Sequence, residues 1–134
     1  MTAVDSVQGF AAALEAYVRL AAHVRLFAND HTPSNRDTEG NYREVQGHGY
    51  AAKALPTDGW SRAVGSPLTC TYPVVVFTFT GPARKMYGYY VTAFGGRLLW
   101  AERFPEPTRD RPEDYIVVNP GDHIDVVLSR SVRS

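Results

Sequence analysis

The hydrophobic positions along the chain change period once, near Ala22, and the change divides a helical start from a β-rich remainder. From about Asp5 to Ala22, Val7, Phe10, Leu14 and Tyr17 recur at steps of three and four residues with alanines between them, which puts them on one helix face. Asp5 followed three residues later by Gln8 has the form of a capping box, with Ser6 as a competing N-cap. Beyond Ala22 the period falls to two. Val24, Leu26 and Ala28 alternate with His23, Arg25 and Phe27, predicting a first strand.

Turn formers crowd Asn29 to Asn35 and polar character continues to Gly40, predicting an exposed loop. Between Tyr42 and Leu55, short apolar stretches broken by Gly47 and Gly49 predict strands carrying a bulge, and Pro56-Thr57-Asp58-Gly59 turns the chain into Trp60. Val74 to Thr80 has the strongest strand signal, β-branched and aromatic together, and is expected to cross the core before Gly81-Pro82 stops it. Met86 to Ala93 and Arg97 to Phe104 predict an antiparallel hairpin around Phe94-Gly95-Gly96. Pro105, Pro107 and Pro112 make the next connection loop-like, and a strand follows at Tyr115 to Val118. Asn119-Pro120-Gly121-Asp122 matches a type II turn. Ile124, Val126 and Leu128 then alternate with His123, Asp125 and Ser129 as a half-buried final strand, and Arg130 to Ser134 reads as a loose tail.

Seven or so short strands separated by turns predict a mainly β protein: an antiparallel β-sandwich, preferentially a jelly roll, with one N-terminal α-helix. An immunoglobulin-like sandwich is the structural alternative. The expected organisation is a single domain over 1–134, with a helical segment at 1–22, the sandwich at 23–129 and the tail at 130–134.

Composition narrows the function classes. Lys and Arg together number 14, as do Asp and Glu, so the general attraction that nucleic-acid binders use is missing and docking onto another neutral surface is easier. Cys70 is the only cysteine, which excludes an intrachain disulfide and a cysteine zinc cluster. No basic segment followed by an apolar stretch opens the chain, and no apolar run approaches about 20 residues, so neither a signal peptide nor a membrane span is expected.

Catalytic signatures are missing: no Gly-x-Ser-x-Gly elbow, P-loop or His-Glu-x-x-His motif occurs. His23, His31, His48 and His123 lack the spacing that puts two histidines on one metal. Asp30, His31 and Asp37 could share an oxygen-rich loop site, but such residues ordinarily build turns. Glu102 and Glu106 could pair as glycosidase carboxylates, against the plainer reading of a strand-end charge and a solvated loop residue. Cys70 reads as a small core residue rather than a nucleophile. Tyr87, Tyr89, Tyr90 and Trp100 are weighed as a sugar-binding platform and favoured as core and cross-strand packing. The expectation is therefore a non-enzymatic protein without metal or cofactor. Its candidate partner contacts are Val7, Phe10, Leu14 and Tyr17 on the helix, His31, Asn35 and Arg36 in the first loop, and Arg109 and Arg111 in the proline-rich one.

Several blocks in order resemble small virion proteins of tailed phages. They are Arg25-Leu26-Phe27-Ala28-Asn29-Asp30 with Thr32-Pro33, Gly49 to Leu55 followed by Trp60, Tyr87-Gly88-Tyr89-Tyr90-Val91-Thr92, Leu98 to Phe104, and Asn119-Pro120-Gly121-Asp122. The resemblance covers most of the chain beyond the first helix, and the compact size looks like that of jelly-roll cement proteins that decorate capsids. It implies a protein made in the bacterial cytoplasm that binds the capsid exterior of the virion as a homodimer or homotrimer. Its partners would be the major capsid protein and itself, with neither nucleic acid nor membrane. A tail-associated, glycan-binding module is the alternative.

Overall fold

The computed structural model describes residues 7–63, 68–81, 83–104, 116–118 and 123–132. Among the described residues one α-helix, α1 (Val7–Arg19), precedes eleven strands: β1 (Ala21–Phe27), β2 (Lys53–Ala54), β3 (Ser61–Ala63), β4 (Leu68–Thr71), β5 (Val75–Thr78), β6 (Ala83–Met86), β7 (Gly88–Ala93), β8 (Leu98–Arg103), β9 (Ile116–Val118), β10 (His123–Val126) and β11 (Ser129–Val132). Every strand pair among the described residues is antiparallel. The largest sheet runs β2-β1-β7-β8, a second runs β11-β4-β3, and β10-β5 and β6-β9 form two-stranded ladders. The protein is thus mainly β, in a sandwich-like arrangement.

The helix stops earlier than its alanines suggest. Leu20 N–H closes a tight last turn onto Tyr17 O at 3.1 Å, and Ala21 and Ala22 already belong to β1. Alanine favours helix, but here pairing decides: Ala21 lies opposite Ala93, and Leu55 N–H donates to Ala22 O at 2.8 Å. Leu14, Tyr17 and Val18 pack on the core, Val18 almost completely buried, and Glu15 reaches Arg62 of β3 at 2.8 Å. The floor under α1 is the β11-β4 pair, so residues 130–132 of the segment expected as a loose tail are strand in register with β4, Arg130 facing Cys70. The final alternation therefore breaks at Val127-Leu128 into β10 and β11.

In β1 the expected inside-outside alternation fails at one residue. Val24 and Leu26 are buried as expected, yet Phe27 on the opposite face is buried as well. It lies in a second apolar cluster with Tyr42, Tyr87 and Tyr90, because the chain after β1 folds back over that face. Tyr42 to Leu55 follows the free edge of β1 at both ends, through the Phe27–Glu44 bridge and the Val24–Lys53 pair. Between them Gly47, His48 and Gly49 all take positive φ, so the predicted bulge is a full turn. Val74 to Thr80 enters the core on one face: Val75, Phe77 and Phe79 are buried in the main apolar cluster. Among the described residues β5 pairs with β10 alone, and its other face leaves Val74 and Val76 in solvent. The predicted hairpin is present as β7 and β8, and Ile116–Val118 is the expected following strand. The Pro105–Pro112 connection and the Asn119–Asp122 turn lie outside the described residues.

Phe27 pairs with Gly88 across β1 and β7, and its ring lies over the glycine: a β-carbon there would come within 2.6 Å of Phe27 Cε1 and 2.3 Å of Glu102 O. Backbone cannot yield as a side-chain tip can. Gly88→Ala should therefore destabilise the fold by about 2 kcal/mol, the scale of core overpacking, read as a lowered midpoint in chemical denaturation; an unchanged midpoint would refute the close approach.

Candidate functional site

The Asn29–Tyr42 loop is held by side chains that suit turns. Asn29 clamps its base, its amide donating to Asn41 O and its carbonyl accepting from Arg43 N–H, both at 2.9 Å. A short 3-10 turn at Glu39–Asn41 is closed by Thr38 N–H donating to Asn41 Oδ1 at 2.8 Å. Asp37 Oδ2 accepts from Tyr42 OH at 2.6 Å, from Ser34 N–H at 2.9 Å and from His31 Nε2 at 2.8 Å. An ionised carboxylate only accepts, so Nε2 carries the histidine proton. The bonds from Tyr42 and His31 hold the Asp37 carboxyl down at about 2. Tyr42 is stacked on Tyr90 at 5.1 Å and edge-on to Phe27 and His31, so the loop is pinned to the β7 face.

This fixed loop forms one wall of a cleft of about 410 Å³, made by Pro33, Ser34, Asn35, Asp37 and Tyr42. The other walls are Tyr17 of α1, Leu98 to Ala101 of β8, and Arg130 of β11. Tyr17 OH donates to Leu99 O at 2.5 Å, joining helix to sheet beside the cleft. Arg130 lies over the Trp100 ring at 5.2 Å. A second network fastens the following segment: Glu44 accepts from Arg25 Nη1 at 3.1 and 3.2 Å and from Tyr50 OH at 2.6 Å, while Arg25 Nε donates to Thr92 at 3.1 Å.

The arrangement answers the chemical alternatives. Asp30 turns away from His31 and Asp37 to meet Arg103 Nη2 at 2.7 Å, so the three do not converge, and no cluster of metal ligands occurs among the described residues. Glu102 accepts from Tyr89 OH at 2.8 Å, whereas Glu106 lies outside the described residues. Cys70 is buried, and burial pushes its thiol pKa up, opposite to what a nucleophile requires. Tyr87, Tyr89, Tyr90 and Trp100 are all buried, as core packing requires, and do not form an open platform.

Of the candidate contacts, the structure brings Tyr17 and Asn35 to one cleft. His31 is tied to Asp37, which lines that cleft, and Arg36 is exposed on the same loop. Leu14 packs inward. Val7 and Phe10 belong to α1, but their side chains lie outside the description, as do Arg109 and Arg111 altogether. Two features escaped sequence reading. Arg130 was hidden in the supposed tail, and Phe94, read only as part of a turn, is 87% exposed. An aromatic immediately before Gly95-Gly96 was the available signal. No helix among the described residues is long and apolar enough to cross a membrane. Compared with known protein families, curated proteins and solved structures, the chain matches none.

Burial, then the bonds to Asp37, Glu44 and Glu102, raises the phenol pKa of Tyr42, Tyr50 and Tyr89; burial also pushes Tyr90 up to about 12. A folded pKa above the unfolded value of about 10 favours the protonated form. The stabilisation is whole below pH about 10 and is lost as pH rises past it. Absorbance titration should accordingly show these tyrosines ionising together with loss of near-ultraviolet circular dichroism; ionisation in the intact fold would contradict it. Asp37 has the opposite sign, its contribution being present above pH about 4 and lost on acidification towards 2. Cys70 should resist a disulfide reagent until the protein unfolds, and rapid reaction in native buffer would disprove its burial.

Proposed function

We propose that this chain is a non-catalytic docking protein of a tailed-phage particle, a head decoration protein that binds the capsid exterior as a small homo-oligomer and bridges major capsid subunits. The observation that carries the reading is where large apolar side chains remain in solvent. Val74, Val76 and Val127 stand exposed around the β5-β10 ladder, and Leu20 and Phe94 at the end of the largest sheet. Apolar side chains grouped on one solvent-facing surface support reading that surface as an interaction site, which a single exposed residue would not. Meanwhile Asp30, Asp37, Glu44 and Glu102 are occupied with structural partners. Modest contacts on a rigid body reinforce one another through effective concentration, so firm attachment needs no deep pocket.

The β5-β10 face is the capsid-facing surface in this reading. Heads produced without this chain should bind it on mixing and gain heat and osmotic resistance. Val76→Thr combined with Val127→Thr, which keeps strand-forming residues, should weaken binding roughly tenfold or more through lost apolar burial, measured by cosedimentation. Undiminished binding by the double variant removes the assigned face, and localisation to the tail by immunogold removes the decoration role.

The cleft supports a second reading, a tail-associated module that takes a surface glycan. Polar groups of Ser34 and Asn35, the Tyr17 ring and the Arg130 guanidinium converge there. Binding on a glycan array that Asn35→Ala abolishes would favour this reading over decoration.

A further inference from the structure

We infer that the cleft between α1, the Asn29–Tyr42 loop and β8 is a site for an acidic sugar, its carboxylate held by Arg130 and its hydroxyls by the loop. The inference rests on reading that cleft as a glycan site and names the class of sugar. Arg130 carries the argument. Its side chain is half-buried, its guanidinium lies over the Trp100 ring at 5.2 Å, and no carboxylate among the described residues pairs with it. A guanidinium partly withdrawn from water with its donors unspent favours an anionic guest, and its planar fork matches a carboxylate through two parallel bonds.

The loop wall supplies partners for hydroxyls. All three bonds to the Asp37 carboxylate end on Oδ2, so Oδ1 has no partner among the described residues. Asn35 is exposed, and the Ser34 hydroxyl, which accepts from Arg36 N–H at 3.3 Å, keeps its own proton to donate. Acceptors and donors side by side suit ring hydroxyls, which do both. Tyr17, its hydroxyl committed to Leu99 O and its ring 5.5 Å from Trp100, offers a fixed flat surface for the apolar face of a sugar ring. The charges choose among anions. Asp37, held at about 2, stays ionised at neutral pH, so a phosphate dianion would meet as much repulsion as attraction, whereas one carboxylate is neutralised by Arg130 alone. The cleft's volume of about 410 Å³ suits a small ligand, and its lining is more polar than apolar, which fits a sugar better than a lipid.

Calorimetric titration of the purified full chain with methyl glucuronide and methyl glucoside, which share a ring and differ in the carboxylate, tests this. Wild type should bind the glucuronide about tenfold more tightly or better. Arg130→Gln should bring the glucuronide down to the glucoside's affinity, and Arg130→Lys should recover part of the difference, with thermal unfolding showing that each variant folds. Asn35→Asp, on the exposed loop and away from β11, sets a like charge at the rim and should weaken the glucuronide selectively. Equal affinity for the two sugars, a glucuronide indifferent to Arg130→Gln, or acetate or glucose 6-phosphate displacing it more effectively than it displaces them overturns the inference. If the glucoside then still binds and needs Asn35, the cleft remains a glycan site and only its acidic preference falls. Failure of both sugars to bind also overturns the inference, and a blank glycan array would remove the glycan reading with it.

Discussion

Tyr42 is the pin on which the loop side of the molecule depends. Its ring lies flat on Tyr90 and edge-on to Phe27, and its hydroxyl reaches Asp37 at 2.6 Å. One residue thereby closes the outer face of β1, orders the Asn29–Tyr42 loop and sets one wall of the cleft. Phe27 completes the device from below, because its ring occupies the space that Gly88 leaves in β7. Without the aromatic stack, β1 would expose Phe27 and the largest sheet would keep only one packed face. Buried polar bonds of this kind are costly to leave half-made, so the loop is held as a unit rather than bond by bond.

Much of the architecture was legible because it is written locally. The hairpin announced itself through Phe94-Gly95-Gly96, and the early helix through its spaced apolar face. What misled was long-range. Ala21 and Ala22 are good helix residues recruited into a strand by Ala93 and Leu55, and Ser129–Val132 has little strand character of its own but finds a partner in β4. Val74 to Thr80 reads as a central strand by residue type, yet exposure of Val74 and Val76 shows that type alone does not count how many faces will be covered.

The candidate site was legible in part for the same reason. Tyr17 and Asn35 were recognisable singly, but only folding brings a helix residue, a loop and Arg130 around one cleft. Tyr87, just before β7, and Tyr89, Tyr90 and Trp100 within β7 and β8 are buried, in keeping with their reading as packing. Their hydroxyl and ring partners, such as Tyr89 with Glu102, could not be read from spacing because the pairs depend on register.

The pairing of β11 with β4 also orders events in time. Leu68 must wait for Val132 before that ladder is complete, and α1, which precedes both strands in the chain, rests on them. α1 therefore cannot complete its seat until the chain as far as β11 has been made, and its apolar face stays uncovered over that span of synthesis. A chain with this topology gains its stability late and all at once, so premature termination anywhere before β11 leaves a sticky fragment rather than a smaller working protein.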